Sequence, residues 1–347
     1  MDLENLEEVL QNEPKYRLKE ARDFVFVKFI DNWNQATSFS KELRERLNKE
    51  CPLYIEAQSL VSKNGDSIKS KIKLKDGLEI ETVLMRHEDG RNTVCVSCQV
   101  GCPMNCAFCA TGTMGFIRNL TADEILEQVI LFNRYLKNGE RSDRSPFRVT
   151  NVTFMGMGEP FLNYDNVLKA IKVLNDANAF NISIRNISIS TCGIIEGVEK
   201  LANSGLQVNL AISLHAPNNE LRSKLMPINK RYSLDEVLKA VDNYILKTKR
   251  KVMFEYVLIK DINDTDDCAK ELAGLFRNPT SPRLRGARKL YFLNLIEYNT
   301  TGKFQASSRN RIEEFKKILK KAKINFVQRY KFGQDIKGAC GQFVTGK

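Results

Sequence analysis

The sequence predicts an α/β protein whose main domain is a partial (βα)6 barrel, preceded by a small helical N-terminal domain. Two observations lead to this prediction: residues 1 to about 50 show apolar residues at helical spacing, and later segments alternate between strand-like and helix-like patterns. Such alternation is typical of βα units that build a parallel sheet. About six units occur, which is too few for a closed eight-fold barrel, so we predict a partial one.

The N-terminal segment is predicted to form short helices, because apolar residues recur at helical spacing in LENLEEVL and in residues 24–33. The pattern then changes to strands in LYIEAQSLVS, SIKSKIKLKDG and LEIETVLMR, which turns at Asn64-Gly65 and Asp76-Gly77 separate. We place an accessory domain at residues 1–75 and the barrel, with a C-terminal segment, at residues 76–347.

The barrel is predicted to begin with the strand TVCVS and the helix TADEILEQVILFNRYLKN, where Thr121 and Glu124 suit a capping box. Further strands are predicted at NVTFMGMG, NISIST, VNLAISLH, VMFEYVLI, LYFLNLI and INFVQRY. Helices are predicted at NVLKAIKVLNDA, IEGVEKLANS, LDEVLKAVDNYILKT, DCAKELAGLF and RIEEFKKILKKA. In such a barrel the functional residues lie at the C-terminal ends of the strands.

Net charge, the length of apolar runs and the N-terminal segment limit which classes of protein this chain can belong to. The chain has 347 residues and a net charge of +12, which fits either a solvated basic surface or a polyanionic partner such as nucleic acid. No run of about 18 apolar residues occurs, and the acidic N-terminal segment lacks the pattern of a secretory signal. We therefore expect a cytoplasmic protein without a membrane partner.

Five of the nine cysteines lie within residues 95–109. Cys102, Cys106 and Cys109 have the spacing C-x3-C-x2-C, so three thiolates on one loop can bind three irons of a 4Fe–4S cluster. The fourth iron can bind S-adenosylmethionine (SAM), and electron transfer then yields a 5′-deoxyadenosyl radical. Structural zinc is the alternative, with Cys95 or Cys98 as a further ligand. The three-cysteine spacing after a strand that opens the βα series favours the cluster.

Several segments, taken in order, resemble the RlmN/Cfr family of radical SAM enzymes, which methylate adenine in ribosomal RNA. The matching segments are VCVSCQVGCPMNCAFCATGTMGFIRNLT, FMGMGEPFLNYDNV, ISISTCGI, ISLHAPNNELRSKLMPIN, YVLIKDINDT, NLIEYN and ACGQF. The segments MGFIRNL and GMGEPFLNYDN, with Pro160, resemble the RlmN type more closely. That type methylates carbon 2 of the adenine, whereas the rival Cfr type methylates carbon 8 of the same base.

The resemblance implies a methylation of adenine 2503 in 23S rRNA, and of adenine 37 in some tRNAs, that uses two SAM molecules. One SAM methylates Cys340, the radical from the other removes a hydrogen atom from that methyl group, and the methylene radical adds to adenine. Glu81 then removes the ring proton, and Cys95 attacks the Cys340 sulfur to form a transient disulfide. Without the resemblance, the two cysteines fit ordinary buried positions and Glu81 fits a solvent-facing one.

The resemblance also implies the SAM contacts. Glycine lets the backbone approach a ligand closely, and a carboxylate can accept hydrogen bonds from the SAM amino group. By themselves, GMGE fits an ordinary strand-to-loop turn and a lone histidine fits a core position. The residues implied are Gly158, Glu159, Ser190, Ser213, His215 with the backbone at Leu214, and Asn299. The resemblance supports no role for Cys51, Cys98, Cys192 or Cys268.

Basic residues cluster in residues 69–75, 247–251, 283–289 and 316–323. Together with the N-terminal domain these runs suit contact with an RNA backbone, so 23S rRNA and tRNA are the expected partners. Recognition would depend on RNA shape and on an adenine turned out into the barrel mouth. The radical chemistry requires an electron donor such as flavodoxin or ferredoxin. A non-catalytic zinc-bearing RNA-binding protein is the alternative from another class.

Overall fold

Three helices form the N-terminal part of the chain in the computed structural model, which describes residues 3–138, 148–277, 287–329 and 332–344. They are α1 (Leu3–Val9), α2 (Lys15–Phe26) and α3 (Lys41–Glu50). The helical pattern predicted through residues 24–33 is wrong beyond Phe26. The φ angle of Phe29 is 53°, a left-handed conformation that an α-helix cannot contain, and a short 3-10 turn follows at Trp33–Gln35.

Four strands then form an antiparallel meander: β1 (Ala57–Val61), β2 (Ser67–Lys73), β3 (Glu79–Arg86) and β4 (Asn92–Cys95). Strand β2 pairs with β3 over its whole length, from Ser67 opposite Met85 to Lys73 opposite Glu79. The domain boundary expected between residues 75 and 76 lies in the turn that joins these two paired strands. The division into two domains stays a prediction.

A second, two-stranded sheet carries the cysteine loop. It pairs β5 (Gln99–Gly101) with β6 (Phe116–Asn119), and α4 (Ala110–Thr113) lies between them. The sequence analysis missed this hairpin, because each strand is too short to show alternation. At Gly101 an added Cβ would lie 1.8 Å from the Gly115 carbonyl oxygen, so only glycine fits where the two strands meet.

The βα series follows as predicted. Helix α5 (Ala122–Asn138) begins with the capping box: the Glu124 amide donates to Thr121 Oγ1 (3.2 Å) and the Thr121 amide donates to Glu124 Oε2 (2.9 Å). The remaining elements are β7 (Asn151–Phe154), α6 (Tyr164–Asn175), β8 (Ile187–Thr191), α7 (Ile195–Asn203), β9 (Asn209–Ser213), α8 (Asn219–Leu225), α9 (Leu234–Thr248), β10 (Val252–Leu258), α10 (Asp266–Arg277), β11 (Tyr291–Glu297), α11 (Arg309–Lys321) and β12 (Phe326–Gln328).

The main sheet has the strand order β1-β2-β3-β4-β7-β8-β9-β10-β11-β12, and all neighbours from β4 to β12 are parallel. Within the described residues, β1 and β12 are edge strands and do not pair with each other, so the predicted partial barrel is confirmed. The apolar faces of the helices pack on this sheet and form a continuous core. None of the helices that the structure describes is long and apolar enough to cross a membrane.

Candidate active site

The three cysteines of the C-x3-C-x2-C segment line one cavity, whose empty volume is about 910 Å³. They lie on the loop between β5 and α4. The Cys102 amide donates to the Gly115 carbonyl (2.9 Å), and the Ala107 amide donates to the Leu225 carbonyl (2.9 Å), so both sides of the loop are fixed. Asn105 has a φ of 49°, which turns the chain sharply between the first two thiols.

The arrangement of these thiols fits a multi-iron cluster. Zinc needs three or four ligands that converge on one point, each about 2.0–2.3 Å from the ion. Among the described residues, no three His, Cys, Asp or Glu side chains form such a group. In a cubane cluster each of the three thiolates binds a different iron, and three cysteines of one loop that line one cavity suit this arrangement. Burial raises the pKa of Cys102 to about 12, and bound metal ions would supply the positive charge that stabilises its thiolate.

Neither of the two cysteines considered as additional zinc ligands joins the cysteine loop at this cavity. Cys98 is buried, and its thiol donates a hydrogen bond to the Met157 carbonyl oxygen, with 3.6 Å between sulfur and oxygen. Cys95 lines a different cavity, described below. Within the described residues, neither Cys95 nor Cys98 therefore lies in the cavity of the cysteine loop as a further ligand.

Six of the residues expected to contact SAM line the same cavity as the three cysteines. They come from the C-terminal ends of β7, β8, β9 and β11 or from the loops that follow, as expected for parallel strands that end at one edge. These residues are Gly158, Glu159, Ser190, Ser213, His215 and Asn299. Leu214 is fully buried beneath them, and its amide donates to the Glu255 carbonyl (3.0 Å).

Glu159 is buried and held by backbone amides. Its Oε2 accepts from the Cys192 amide (2.7 Å) and its Oε1 accepts from the Phe161 amide (3.1 Å). Burial raises the pKa of this carboxyl group, against the effect of these hydrogen bonds. Gly158 before it has a φ of 102°, and an added Cβ would lie 2.6 Å from Gln99 Cβ. Only glycine therefore packs against Gln99 at this position, and Gly158 lines the cavity.

His215 is a neutral imidazole that offers one donor to the cavity. Its Nδ1 accepts a hydrogen bond from the Val257 amide (3.1 Å), so the ring proton lies on Nε2. Burial, with a smaller effect from the Arg222 charge, lowers the pKa of His215 to about 3. The ring of Phe108, on the cysteine loop, packs edge-on against the imidazole with centroids 4.7 Å apart. This contact covers one side of the cysteine loop.

Cys340 lies where two cavities meet. It lines the cavity of the cysteine loop and also a neighbouring one of about 480 Å³, which Cys95 lines as well. Asn299 Nδ2 donates to the Cys340 carbonyl (3.2 Å). The next residue is fixed to the cysteine loop, because the Ala110 amide donates to the Gly341 carbonyl (2.8 Å). The structure thus brings the two candidate redox cysteines, distant in sequence, to one cavity next to the cysteine loop.

Glu81 does not face solvent, although its sequence pattern alone fits a solvent-facing strand position. It is buried, its Oε1 lies 2.6 Å from Lys69 Nζ, and its Oε2 accepts from the Val344 amide (2.9 Å). Strand pairing explains the location: Cys95 is opposite Val83, and side chains two residues apart on a strand share a face. Glu81 therefore lies on the same sheet face as Cys95, although it lines neither cavity.

The basic runs differ in their exposure. Lys69 is buried against Glu81, so this member of the 69–75 run faces the interior and not an RNA backbone. The run at residues 316–323 lies largely on α11, and four of its five lysines are exposed. In the run at residues 283–289, residues 283–286 lie outside the described part of the chain.

Sequence reasoning missed two charged groups beside the site. Arg222 on α8 is fully buried and donates to the carbonyls of Cys192 (2.7 Å) and Ser213 (3.2 Å), which ties the ends of β8 and β9 together. Arg329, directly after β12, lines the cavity that contains Cys95 and Cys340, and it faces Glu255. A single sequence gives no signal that distinguishes these arginines from solvent-exposed ones.

Comparisons with known proteins agree with this geometry. Residues 96–272 match the family model described as Radical SAM superfamily. The chain is 43% identical over 345 residues to "Probable dual-specificity RNA methyltransferase RlmN" of Dictyoglomus thermophilum, covering 98% of this chain and 94% of that protein. A relative of the same name from Carboxydothermus hydrogenoformans is 43% identical over 335 residues, with coverages of 95% and 92%. The crystal structure of a radical SAM methyltransferase from Sphaerobacter thermophilus superposes with a TM-score of 0.89 at 39% identity, covering 99% of this chain and 97% of that one.

Proposed function

Because the chain belongs to the RlmN family of radical SAM RNA methyltransferases, we propose that it methylates carbon 2 of adenine 2503 in 23S rRNA and of adenine 37 in some tRNAs. The observation that carries this proposal is that the three cysteines, six candidate SAM residues and Cys340 line one cavity. A radical source and a methyl carrier that act on one base must be held within reach of each other.

The residues that would hold the cofactors are those of the cavity. Cys102, Cys106 and Cys109 would bind the 4Fe–4S cluster, and Glu159 would accept hydrogen bonds from the SAM amino group. When bound, the cluster and SAM together supply a 5′-deoxyadenosyl radical that can remove a hydrogen atom from a methyl group. The Phe108–His215 contact would help to exclude water from this radical.

Cys340 would carry the methyl group. Its sulfur would take a methyl group from one SAM, present it at the junction of the two cavities and form a covalent link to the adenine. Cys95 would then attack the Cys340 sulfur and form a disulfide with it. The bond from that sulfur to the methylene carbon would break, and the carbon would take a proton and stay on the adenine as its methyl group. The two cysteines line one cavity, as that exchange requires.

Glu81 would remove the ring proton of the adenine. One oxygen of the Glu81 carboxylate forms an ion pair with Lys69, and the other accepts a hydrogen bond from the Val344 amide. Both oxygens are therefore already occupied. To act as the base, Glu81 must exchange at least one of these partners for the nucleotide.

The proposed partners follow from the RNA substrate. We propose 23S rRNA and tRNA as substrates, a flavodoxin or ferredoxin as the electron donor, and a cytoplasmic location. The net charge of +12 supports contact with a polyanion.

Anaerobic reconstitution tests the proposal. The chain would be loaded with iron and sulfide and incubated with SAM, a reductant and an rRNA fragment, and the digested RNA would be analysed by mass spectrometry. We expect one methyl group on carbon 2 of the target adenine and release of 5′-deoxyadenosine. A methyl group on carbon 8 would assign the Cfr-type activity instead, and protein that binds zinc and never yields 5′-deoxyadenosine would exclude both.

A further inference from the structure

Arg329 is the cationic group of the cavity that contains both redox cysteines. It directly follows β12, and its amide donates to the Leu295 carbonyl (2.9 Å), which fixes it at the C-terminal edge of the barrel. Its side chain lines the cavity of about 480 Å³ together with Cys95 and Cys340. The side chain is only 23% exposed, so its charge is poorly screened by water.

The guanidinium group is anchored at one nitrogen. Nη1 donates to Met155 Sδ (3.4 Å) and lies 3.9 Å from Glu255 Oε2, and Glu255 is itself buried. Within the described residues these are the only hydrogen bond and the only ion pair of the guanidinium, and the Arg329 side chain lines the cavity that contains the two thiols. A weak anchor of this kind orients the charge without neutralising it.

Both cysteines need to be thiolates for the chemistry proposed above. The thiolate is the nucleophile whether the sulfur takes a methyl group or attacks another sulfur. Burial works against this, since it raises the pKa of Cys95 to about 12, whereas the Arg329 charge lowers the same pKa. In turn, the Cys340 sulfur is the main group that raises the pKa of Arg329. The guanidinium and the two sulfurs are therefore electrostatically coupled.

We propose that Arg329 is a positioning residue that holds its guanidinium charge in the cavity shared by Cys340 and Cys95, where it attracts negative charge on the sulfur that reacts. The roles of the two thiolates rest on the proposed function, but the effect of Arg329 on them does not. When a thiol ionises, its proton passes to solvent and the negative charge stays on sulfur next to the guanidinium. Among the described residues that line this cavity or pair with Arg329, the other charged groups are Glu255 and Glu297, which act in the opposite direction.

The thiol alkylation rate tests this inference directly. The full-length chain, purified anaerobically, would be treated with iodoacetamide over a range of pH, and alkylation of unmodified Cys340 and Cys95 would be followed by peptide mass spectrometry. We expect Arg329→Gln to slow both reactions near neutral pH by roughly tenfold, because the positive charge that attracts a negatively charged sulfur is removed. Arg329→Lys keeps the charge and should restore most of the rate.

Two further variants separate electrostatics from structure. Glu255→Gln removes the opposing charge and should accelerate both alkylations, the reverse of Arg329→Gln. Arg91→Gln makes the same change in net charge at an exposed arginine that pairs with Asp89 (2.8 Å) and does not line the thiol cavity, so it should have no effect. The buried Cys51, packed in the N-terminal helices, serves as an internal reference for unfolding in every sample.

The inference is overturned if Arg329→Gln leaves both profiles like those of the unsubstituted chain. It is also overturned if Arg329→Gln and Glu255→Gln shift the profiles in the same direction, because that result would mean that the pair only maintains structure. The assay contains no RNA and no SAM, so a negative result here leaves the methyltransferase proposal standing. Failure of the RNA methylation assay, in turn, leaves the alkylation result unchanged.

Discussion

Lys69 Nζ lies 2.6 Å from Glu81 Oε1, and both side chains are buried. In the register of β2 and β3, Lys69 is opposite Val83, so Glu81 is its diagonal neighbour on the same face of the sheet. Lys69 Nζ also donates to the Lys337 carbonyl (3.1 Å), while Glu81 accepts from the Val344 amide. The buried pair thus connects the N-terminal hairpin to both sides of the segment that contains Cys340.

We expect Lys69→Met to destabilise the protein, because it leaves the Glu81 carboxylate buried without its cation. The loss in free energy of unfolding should be about 3 kcal/mol, measured by urea denaturation. Lys73→Met is the matched control, because Lys73 lies on the same strand as Lys69 but forms an exposed ion pair, with Glu56 (3.3 Å). Losing that ion pair should lower the free energy of unfolding by less than about 1 kcal/mol. Equal losses in the two variants would contradict a special role for the buried pair.

His215 predicts a pH dependence of stability. Its pKa is about 3 in the folded chain and 6.5 when exposed, so between these values the unfolded state binds a proton that the folded state does not. The contribution of the neutral His215 to the free energy of unfolding is therefore present above pH 6.5. It is lost as the pH falls toward 3, by up to ~1.4 kcal/mol per pH unit.

His215→Gln should flatten this decline, measured as the free energy of unfolding of the cluster-free chain at several pH values. The glutamine carbonyl can still accept from the Val257 amide, which limits other effects. His87→Gln is the control: burial lowers the pKa of His87 too, but this side chain is only half-buried. An identical pH profile in the His215 variant and the unsubstituted chain would contradict the assignment of a neutral, buried imidazole.

We expect Cys340→Ala to lose RNA methylation by at least a factor of about 1,000, because no sulfur remains to carry the methyl group. The cluster should still assemble, since Cys340 is not one of the three loop cysteines, and iron content and 5′-deoxyadenosine release would verify this. Normal methylation by Cys340→Ala would refute the methylated-cysteine route.

Cys95→Ala should give a different result from Cys340→Ala. Without the second thiol, the covalent link between Cys340 and the adenine cannot be released by disulfide formation, so a protein–RNA adduct should accumulate. Denaturing gel electrophoresis with labelled RNA would detect it. Cys98→Ala is the matched control, because Cys98 is a buried cysteine near the same strand that lines neither cavity. If the Cys98 variant trapped RNA and the Cys95 variant did not, the roles would have to be reassigned.

Local sequence patterns determined much of the architecture. The alternation of strands and helices predicted the parallel series, and Thr121 and Glu124 form the predicted capping box, since both depend on residues only a few positions apart. The resemblance to the RlmN/Cfr family is confirmed by relatives that match nearly the whole chain. The C-x3-C-x2-C spacing indicated the cluster because one loop carries all three thiols.

The tertiary structure alone decided which distant residues meet. Cys95 at the end of β4 and Cys340 near the C-terminus line one cavity, and Arg329 joins them there. Lys69 was grouped with a surface charge run and is buried instead. Such contacts come from strand register and from the return of the C-terminal segment, and residues far apart in the chain leave no periodic pattern in a single sequence. The charge and reactivity of a side chain are set by these neighbours, so the chemistry of the site could be fully described only in the folded molecule.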